Sequence, residues 1–173
     1  MSLCLNLQIQ QKELIMRRLL ILCFFALNSA ALFAQPNTTE LSVWANEAVV
    51  ATYTYDYQNF ITQQRNIAKY FTADGWTGYS AALNTSQLPQ MVQKNSYFVS
   101  AVALLPVTLK TIDAQHWQAK IPLLVLYKNP QYQQKQTLEV TIQFTNAPSG
   151  QGVRGLAITN LQSKITENPC QCK

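Results

Sequence analysis

A strict alternation of apolar and polar side chains in residues 137–145 constrains the fold of this 173-residue chain most strongly. The apolar members are Leu138, Val140, Ile142 and Phe144, and the polar members are Glu139, Thr141, Gln143 and Thr145. Successive side chains of a β-strand point to opposite faces, so the alternation predicts a strand with one buried face and one face in water.

Three more segments have the composition of strands. Residues 97–105, 116–127 and 155–165 are rich in β-branched and aromatic side chains, and turn-forming clusters separate them. The polar links between the segments are short, whereas a parallel crossover needs about a dozen residues or more. We therefore predict an antiparallel sheet of four strands.

Residues 40–71 have helical periodicity instead. Thr38 and Thr39 are candidate N-caps, and Glu40 places a negative charge in the first turn, where the helix dipole favours it. An apolar stripe at spacings of three and four, interpreted as a core face, consists of Leu41, Trp44, Ala48, Ala51 and Tyr55. Residues 51–57 also alternate like a strand, so periodicity alone leaves a kink or break in this helix open.

Short helices precede the strands. Asp74-Gly75 ends the first helical element, and residues 76–83 and 88–94 are predicted to be short helices interrupted near Pro89. Helices followed by an antiparallel sheet define an α+β architecture. About 139 residues follow residue 34, which suffices for one domain with its own core.

Residues 16–34 have the order of an export signal, in which two arginines precede an apolar run and small residues. The run is shorter than the roughly 20 apolar residues that span a bilayer, so we predict a cleaved signal, with a retained anchor as the alternative. Cleavage is expected after Ala34, with Ala31 as the other candidate. Residues 1–15 lack signal character and are interpreted as an artefact of the start site, with Met16 as the true start.

Charge argues against nucleic acid as a partner. Ten basic and seven acidic residues follow residue 34, a net charge near +3, and the basic residues are scattered singly. Electrostatic binding to nucleic acid needs several basic groups on one face. Only 12% of the residues are charged, so most of the surface polarity comes from uncharged side chains. Such a surface favours self-association over a soluble monomer.

The single histidine is a candidate for chemistry. His116 follows Asp113 by three residues, and such a pair serves as a general base where a substrate reaches it. The competing interpretation, which we favour, is a hairpin turn over residues 111–115 with His116 at the start of a strand. A metal site usually needs three or four ligands, so neither a metal nor a cofactor is predicted.

Cys170 and Cys172 form a C-x-C pair at the C-terminus, in a tail predicted to be flexible. In an oxidising compartment the pair has three outcomes: an internal disulfide in a small strained ring, bridges to another chain, or cysteines that stay free or bind a soft metal.

Two loops are candidate binding sites. Residues 150–155 are glycine-rich but lie between predicted strands and lack the lysine of a phosphate-binding loop, so a flexible hairpin loop is predicted. Residues 128–136 are predicted to be a polar loop. Within it, Lys128, Tyr132 and Gln133 are a candidate contact surface for another protein.

Five segments carry a resemblance to a known family in their amino-acid sequence: residues 43–53, 69–76, 127–132, 148–155 and 169–172. In this order they strongly resemble the DotI/IcmL family of Dot/Icm type IV secretion systems. The similarity extends from about residue 41 to residue 172.

The resemblance implies a periplasmic domain of the nuclear-transport-factor-two-like kind, with long helices packed on a strongly bent antiparallel sheet. It assigns residues 52–57 to helix. It also implies a scaffold that self-associates and contacts other inner-membrane or periplasmic secretion subunits, without catalytic residues or cofactors. Family members carry a transmembrane helix behind a cytoplasmic tail, whereas residues 16–34 look removable. The alternative function is a small periplasmic ligand-binding or enzymatic domain that uses the concave side of its sheet, near Asp113 and His116.

Overall fold

A computed structural model describes residues 37–148 and 150–171, the last four by their backbone alone. Residues 1–15 and 16–34, predicted to be a start-site artefact and an export segment, lie outside the described residues. The helices are α1 (Thr38–Thr52), α2 (Phe60–Ala68), α3 (Ala73–Thr85) and α4 (Leu88–Lys94). The strands are β1 (Tyr55–Asp56), β2 (Phe98–Ala103), β3 (Thr108–Thr111), β4 (His116–Lys128), β5 (Gln133–Asn146) and β6 (Leu156–Gln171).

Helix α1 begins at Thr38, two residues before the predicted start at residue 40. Asn37, rather than a threonine, is the N-cap, because its side-chain oxygen accepts the N–H of Glu40 at 2.8 Å. The Glu40 carboxylate in turn accepts the N–H of Asn37 at 3.3 Å, which completes a capping box. The predicted core face is confirmed for its first members, since Leu41, Trp44 and Ala48 are all buried.

The predicted helix over residues 40–71 is divided in two. Thr52 is the last residue of α1, so the assignment of residues 52–57 to helix is wrong for residues 53–57. Tyr55 pairs with Val99 of β2 and is buried, so tertiary packing rather than local periodicity decides its conformation. The Asp56 carboxylate then accepts the N–H groups of Gln58 and Asn59, each at 2.8 Å, and this turn leads into α2.

The sheet is a curled antiparallel half-barrel with the strand order β1-β2-β4-β5-β6. The four predicted strands are confirmed as β2, β4, β5 and β6, and two short strands are added. Strand β3 lies beyond β2 on the same side of β4, since both pair with β4 and β5 takes its other side. The α+β prediction is therefore confirmed.

Two strands are longer than predicted. Lys128 pairs with Gln133 at the end of the β4–β5 ladder, so the predicted polar loop over residues 128–136 shrinks to residues 129–132. Strand β6 continues to Gln171, where its backbone pairs with Gln134 of β5. In both cases cross-strand main-chain pairing extends into polar sequence that carries no hydrophobic alternation.

The core lies between α1 and the concave face of the sheet. The Trp44 ring of α1 lies 5.0 Å from the Phe144 ring of β5, which in turn lies 5.7 Å from the Trp117 ring of β4. All three side chains are buried. The alternating apolar residues of β5 therefore supply part of the surface on which α1 packs.

Helix α3 approaches the start of β6 closely. The N–H of Thr72 donates to the carbonyl of Ile158 at 2.9 Å, and Ile158 donates back to the carbonyl of Tyr70 at 2.7 Å. A Cβ added at Gly75 would overlap the Ile158 carbonyl oxygen and lie 3.1 Å from that of Thr159. This contact explains a glycine in the first turns of a helix.

We expect Gly75→Ala to destabilise the protein by roughly 1–3 kcal/mol, since α3 must shift away from the β6 backbone. Gly78→Ala is the matched control in the same helix, because nothing lies within 4 Å of an added Cβ there. That change should stabilise the protein by about 0.5–1 kcal/mol through helix propensity. Urea unfolding of both variants measures the difference, and equal shifts of the same sign would contradict the packing described.

Candidate functional site

The predicted contact residues meet at the tip of the β4–β5 hairpin. We call Lys128, Tyr132 and Gln133 the tip surface. Lys128 and Gln133 are directly opposite each other in the ladder, and the Tyr132 hydroxyl donates to the Gln134 side chain at 2.8 Å. Lys128 is exposed and the other two are partly exposed. The structure thus brings the three predicted residues together, and their role in contacts stays a prediction.

The hairpin loop is held in place by its own polar groups. The Asn129 side chain donates to the carbonyl of Asn95, at the end of α4, at 2.9 Å, and accepts the N–H of Gln131 at 2.9 Å. Together with Phe98 of β2, the loop and the end of α4 line a cleft of about 520 Å³. A fixed polar loop beside an exposed aromatic ring is suited to protein contact.

Asp113 and His116 form a hairpin turn, as favoured from the sequence. The Asp113 carboxylate accepts the N–H groups of Gln115 at 2.8 Å and His116 at 2.9 Å, and it lies 2.8 Å from the His116 ring Nδ1. Both side chains are about half exposed. His116 pairs with Thr145 on the face of the sheet opposite the core, so the pair does not lie on the concave side where the enzymatic alternative placed it.

Sequence reasoning missed a second fixed loop, the connection from β5 to β6. The Trp44 indole N–H donates to the carbonyl of Val153 at 2.8 Å. Arg154 forms an ion pair with Glu47 of α1, and the Tyr70 hydroxyl donates to the other Glu47 oxygen at 2.8 Å. The predicted hairpin connection is confirmed. The contacts that fasten it to α1 argue against the flexibility that was predicted for it. No local pattern in the sequence relates residues about 100 positions apart.

A cavity of about 550 Å³ opens between the helices and β6. We call it the tyrosine cavity. Its lining is entirely uncharged and includes Tyr53, Tyr55, Tyr79, Leu83, Leu161 and Ser163. The alternation of residues 51–57 leaves helix and strand open in the sequence, and nothing in the spacing of its tyrosines indicates a cavity.

The phenols of this cavity stay protonated at neutral pH. Burial raises the pKa of Tyr53, Tyr55 and Tyr79 above the usual value, and it raises the pKa of the neighbouring Tyr127 to about 12. The cavity therefore presents hydroxyl groups and apolar surface but no charge.

The predicted cysteine pair cannot be placed beyond its backbone. Cys170 is opposite Lys135 in the β5–β6 ladder, whereas its side chain and all of Cys172 lie outside the described residues. The possible disulfide stays a prediction.

The chain matches a family profile over residues 30–165. The family is described as an inner-membrane complex component of the type IVb secretion system. This match places the chain in a family of type IV secretion system components. It belongs to the DotI/IcmL family, as the resemblance predicted.

Solved structures agree with this assignment. An IcmL-like type IV secretion system protein from Legionella pneumophila subsp. pneumophila strain Philadelphia 1 is 60% identical, with a TM-score of 0.76. The alignment covers 80% of this chain and 100% of that one. The periplasmic domain of DotI is 25% identical with a TM-score of 0.70, and 76% of this chain and 98% of that one are covered.

The fold extends to more distant proteins. CagV of Helicobacter pylori strain 26695, a VirB8 homologue, is 13% identical with a TM-score of 0.59, over 73% of this chain and 98% of that one. At this identity the likeness concerns the fold alone. The comparison with curated proteins returned no match. Within the residues that the structure describes, no helix has the length and apolar character needed to cross a membrane.

The turn at Asp113 gives a pH-dependent prediction. Its hydrogen bonds, first that from the Gln115 backbone and then those from His116, hold the pKa of Asp113 below its usual value. A lowered pKa in the folded state stabilises the protein above the unfolded-state value, and this stability is lost as pH falls through the folded value. Asp113→Asn should therefore be less stable than the parent at neutral pH.

The stability difference between the two proteins should shrink in acid, as the aspartate becomes protonated. Urea midpoints measured from neutral pH into the acid range test this. Curves that stay parallel over the whole range would contradict the assigned hydrogen bonds, because all other titrating groups are common to both proteins.

Proposed function

We propose that this protein is a structural component or accessory of a type IV secretion system and acts through protein–protein contacts in the periplasm. The observation that carries the proposal is membership of the DotI/IcmL family, with a 60% identical IcmL-like secretion protein covered over its full length. The weakly charged surface and the fixed tip surface support a role in contact rather than in catalysis.

The proposed partners are further copies of this chain and other inner-membrane or periplasmic subunits of the secretion system. Nucleic acid is not among them, because the basic residues are scattered. The proposed location is the periplasm if residues 16–34 are cleaved. If they are retained, the domain faces the periplasm from the inner membrane, and this segment alone contacts the bilayer.

A photo-crosslinking amino acid tests the tip surface in intact cells. Placed at Lys128, it should form crosslinks to secretion-system subunits or to a second copy of the chain. The matched control is Lys110, an exposed lysine of β3 that pairs with β4 near the opposite end of the same strand. Crosslinks to the same subunits at equal yield from both positions would argue against a specific surface at the tip, and crosslinks only to unrelated envelope proteins would contradict the proposal.

His116→Ala separates the assembly role from the enzymatic alternative. The pair it forms with Asp113 is half exposed and does not line the tyrosine cavity, so an assembly role should survive the change. We expect secretion to remain within about twofold of the parent strain, since exposed pairs contribute little to stability. Secretion abolished while the protein stays folded and abundant would contradict a role confined to assembly.

A further inference from the structure

Within the described residues, one edge of strand β6 is unpaired along most of its length, and we call it the bare edge. One edge of β6 pairs with β5 from Leu156 to Gln171. On its other side, segment 70–72 pairs with Ile158, and in the described part of the chain no strand pairs beyond that point. A bare edge presents main-chain donors and acceptors to an additional strand.

The register identifies which residues present them. The Pro122 carbonyl accepts the N–H of Leu104, so Pro122 is turned toward β2 and away from β5. Because main-chain groups alternate along a strand and directly opposed residues match, Glu139, opposite Pro122, is turned toward β6. Lys164, opposite Glu139, is turned back toward β5. Ser163 therefore points its N–H and C=O to the bare edge, as do Leu161 and Ile165.

The tyrosine cavity lies directly beside this edge. Helix α3 contacts β6 at Gly75. Further along the helix, at Tyr79 and Leu83, the cavity lies between the helix and the strand. Leu161 and Ser163 line its strand side. Unpaired main-chain groups and an uncharged, partly apolar hollow thus lie next to each other.

We propose that the bare edge of β6 binds an extended, uncharged segment of a partner protein as an additional strand, with alternate apolar side chains entering the tyrosine cavity. Strand addition derives its affinity from main-chain hydrogen bonds, and pockets for alternate side chains supply its specificity. The uncharged lining excludes acidic or basic side chains from the inward positions.

The register of a second copy of β6 that is centred on Lys164 is unfavourable, whereas an uncharged partner segment brings no charge to this edge. Two copies paired antiparallel about Lys164 would place that lysine directly opposite itself, and like charges in that position are destabilising. The inference rests on the proposed function in one respect, that the domain works through contact with other proteins, and it names the kind of segment such a partner supplies.

The experiment uses the full-length protein, purified in detergent, and a fluorescent peptide. The peptide alternates threonine with valine or leucine and is acetylated and amidated at its ends. Ser163→Pro removes the outward N–H at an edge position where proline is tolerated. Ser163→Ala is the reference for it, because both variants lack the hydroxyl group that is hydrogen-bonded to Tyr53 and only the proline variant lacks the N–H. Binding is measured by fluorescence anisotropy.

We expect Ser163→Pro to bind about tenfold more weakly than Ser163→Ala, the effect of roughly one lost hydrogen bond. A peptide N-methylated at alternate residues should lose binding to the parent protein by a similar factor. This second measurement does not depend on how well the proline variant folds. Equal affinity in both comparisons would overturn the proposal.

A second copy as the occupant is tested in the same system. The Ser163→Cys variant reports on this occupant by forming a disulfide-linked homodimer. A homodimer whose yield is not lowered by the peptide would also overturn the proposal. Failure of the proposed function is distinguishable, since it is read from crosslinks at Lys128 in cells, whereas peptide binding is read from the purified protein.

Discussion

The packing of one face of α1 into the hollow of the curled sheet is the interaction on which the other features depend. Ala45 and Ala48 are fully buried, and their small side chains let the helix backbone approach the strands. Trp44 lies between them and the loop after β5, contacting Phe144 by its ring and Val153 by its indole N–H. Without this helix the concave face of the sheet would expose a large apolar surface to water.

This packing fixes where the surfaces of the domain lie. The tip surface is at the end of the β4–β5 hairpin, and the bare edge of β6 borders the tyrosine cavity under α3. Shifts of register within the β5–β6 ladder mark irregularities that bend a sheet, consistent with the curl that brings β6 beneath the helices. Each surface is built largely on rigid elements, which favours contact without rearrangement of the domain.

Much of this fold was predictable because its strands carry their own signal. The alternation at residues 138–145 is buried on one side in the structure, and the α+β order and the Asp113 turn were also anticipated. The break at Tyr55 was not, because its pairing with Val99 is a tertiary contact that overrides local spacing. The extension of β5 back to Gln133 escaped notice because main-chain pairing there needs no apolar side chain.

The candidate sites also differ in how far they could be predicted from the sequence. Lys128, Tyr132 and Gln133 are close in sequence, so a local polar motif identified them together. The tyrosine cavity joins residues of α1, α3 and β6, and the Glu47–Arg154 pair joins α1 to the loop before β6. Such long-range combinations follow from topology and cannot be read from spacing in one sequence.

We propose that this domain holds secretion subunits together. Isolation of the tagged chain from the bacterial envelope in mild detergent, followed by native mass measurement and identification of bound proteins, tests it most directly. The account predicts one complex that contains the chain and inner-membrane subunits of the secretion system. A chain recovered wholly as a free monomer, with those subunits present but unbound in the same extract, would contradict it.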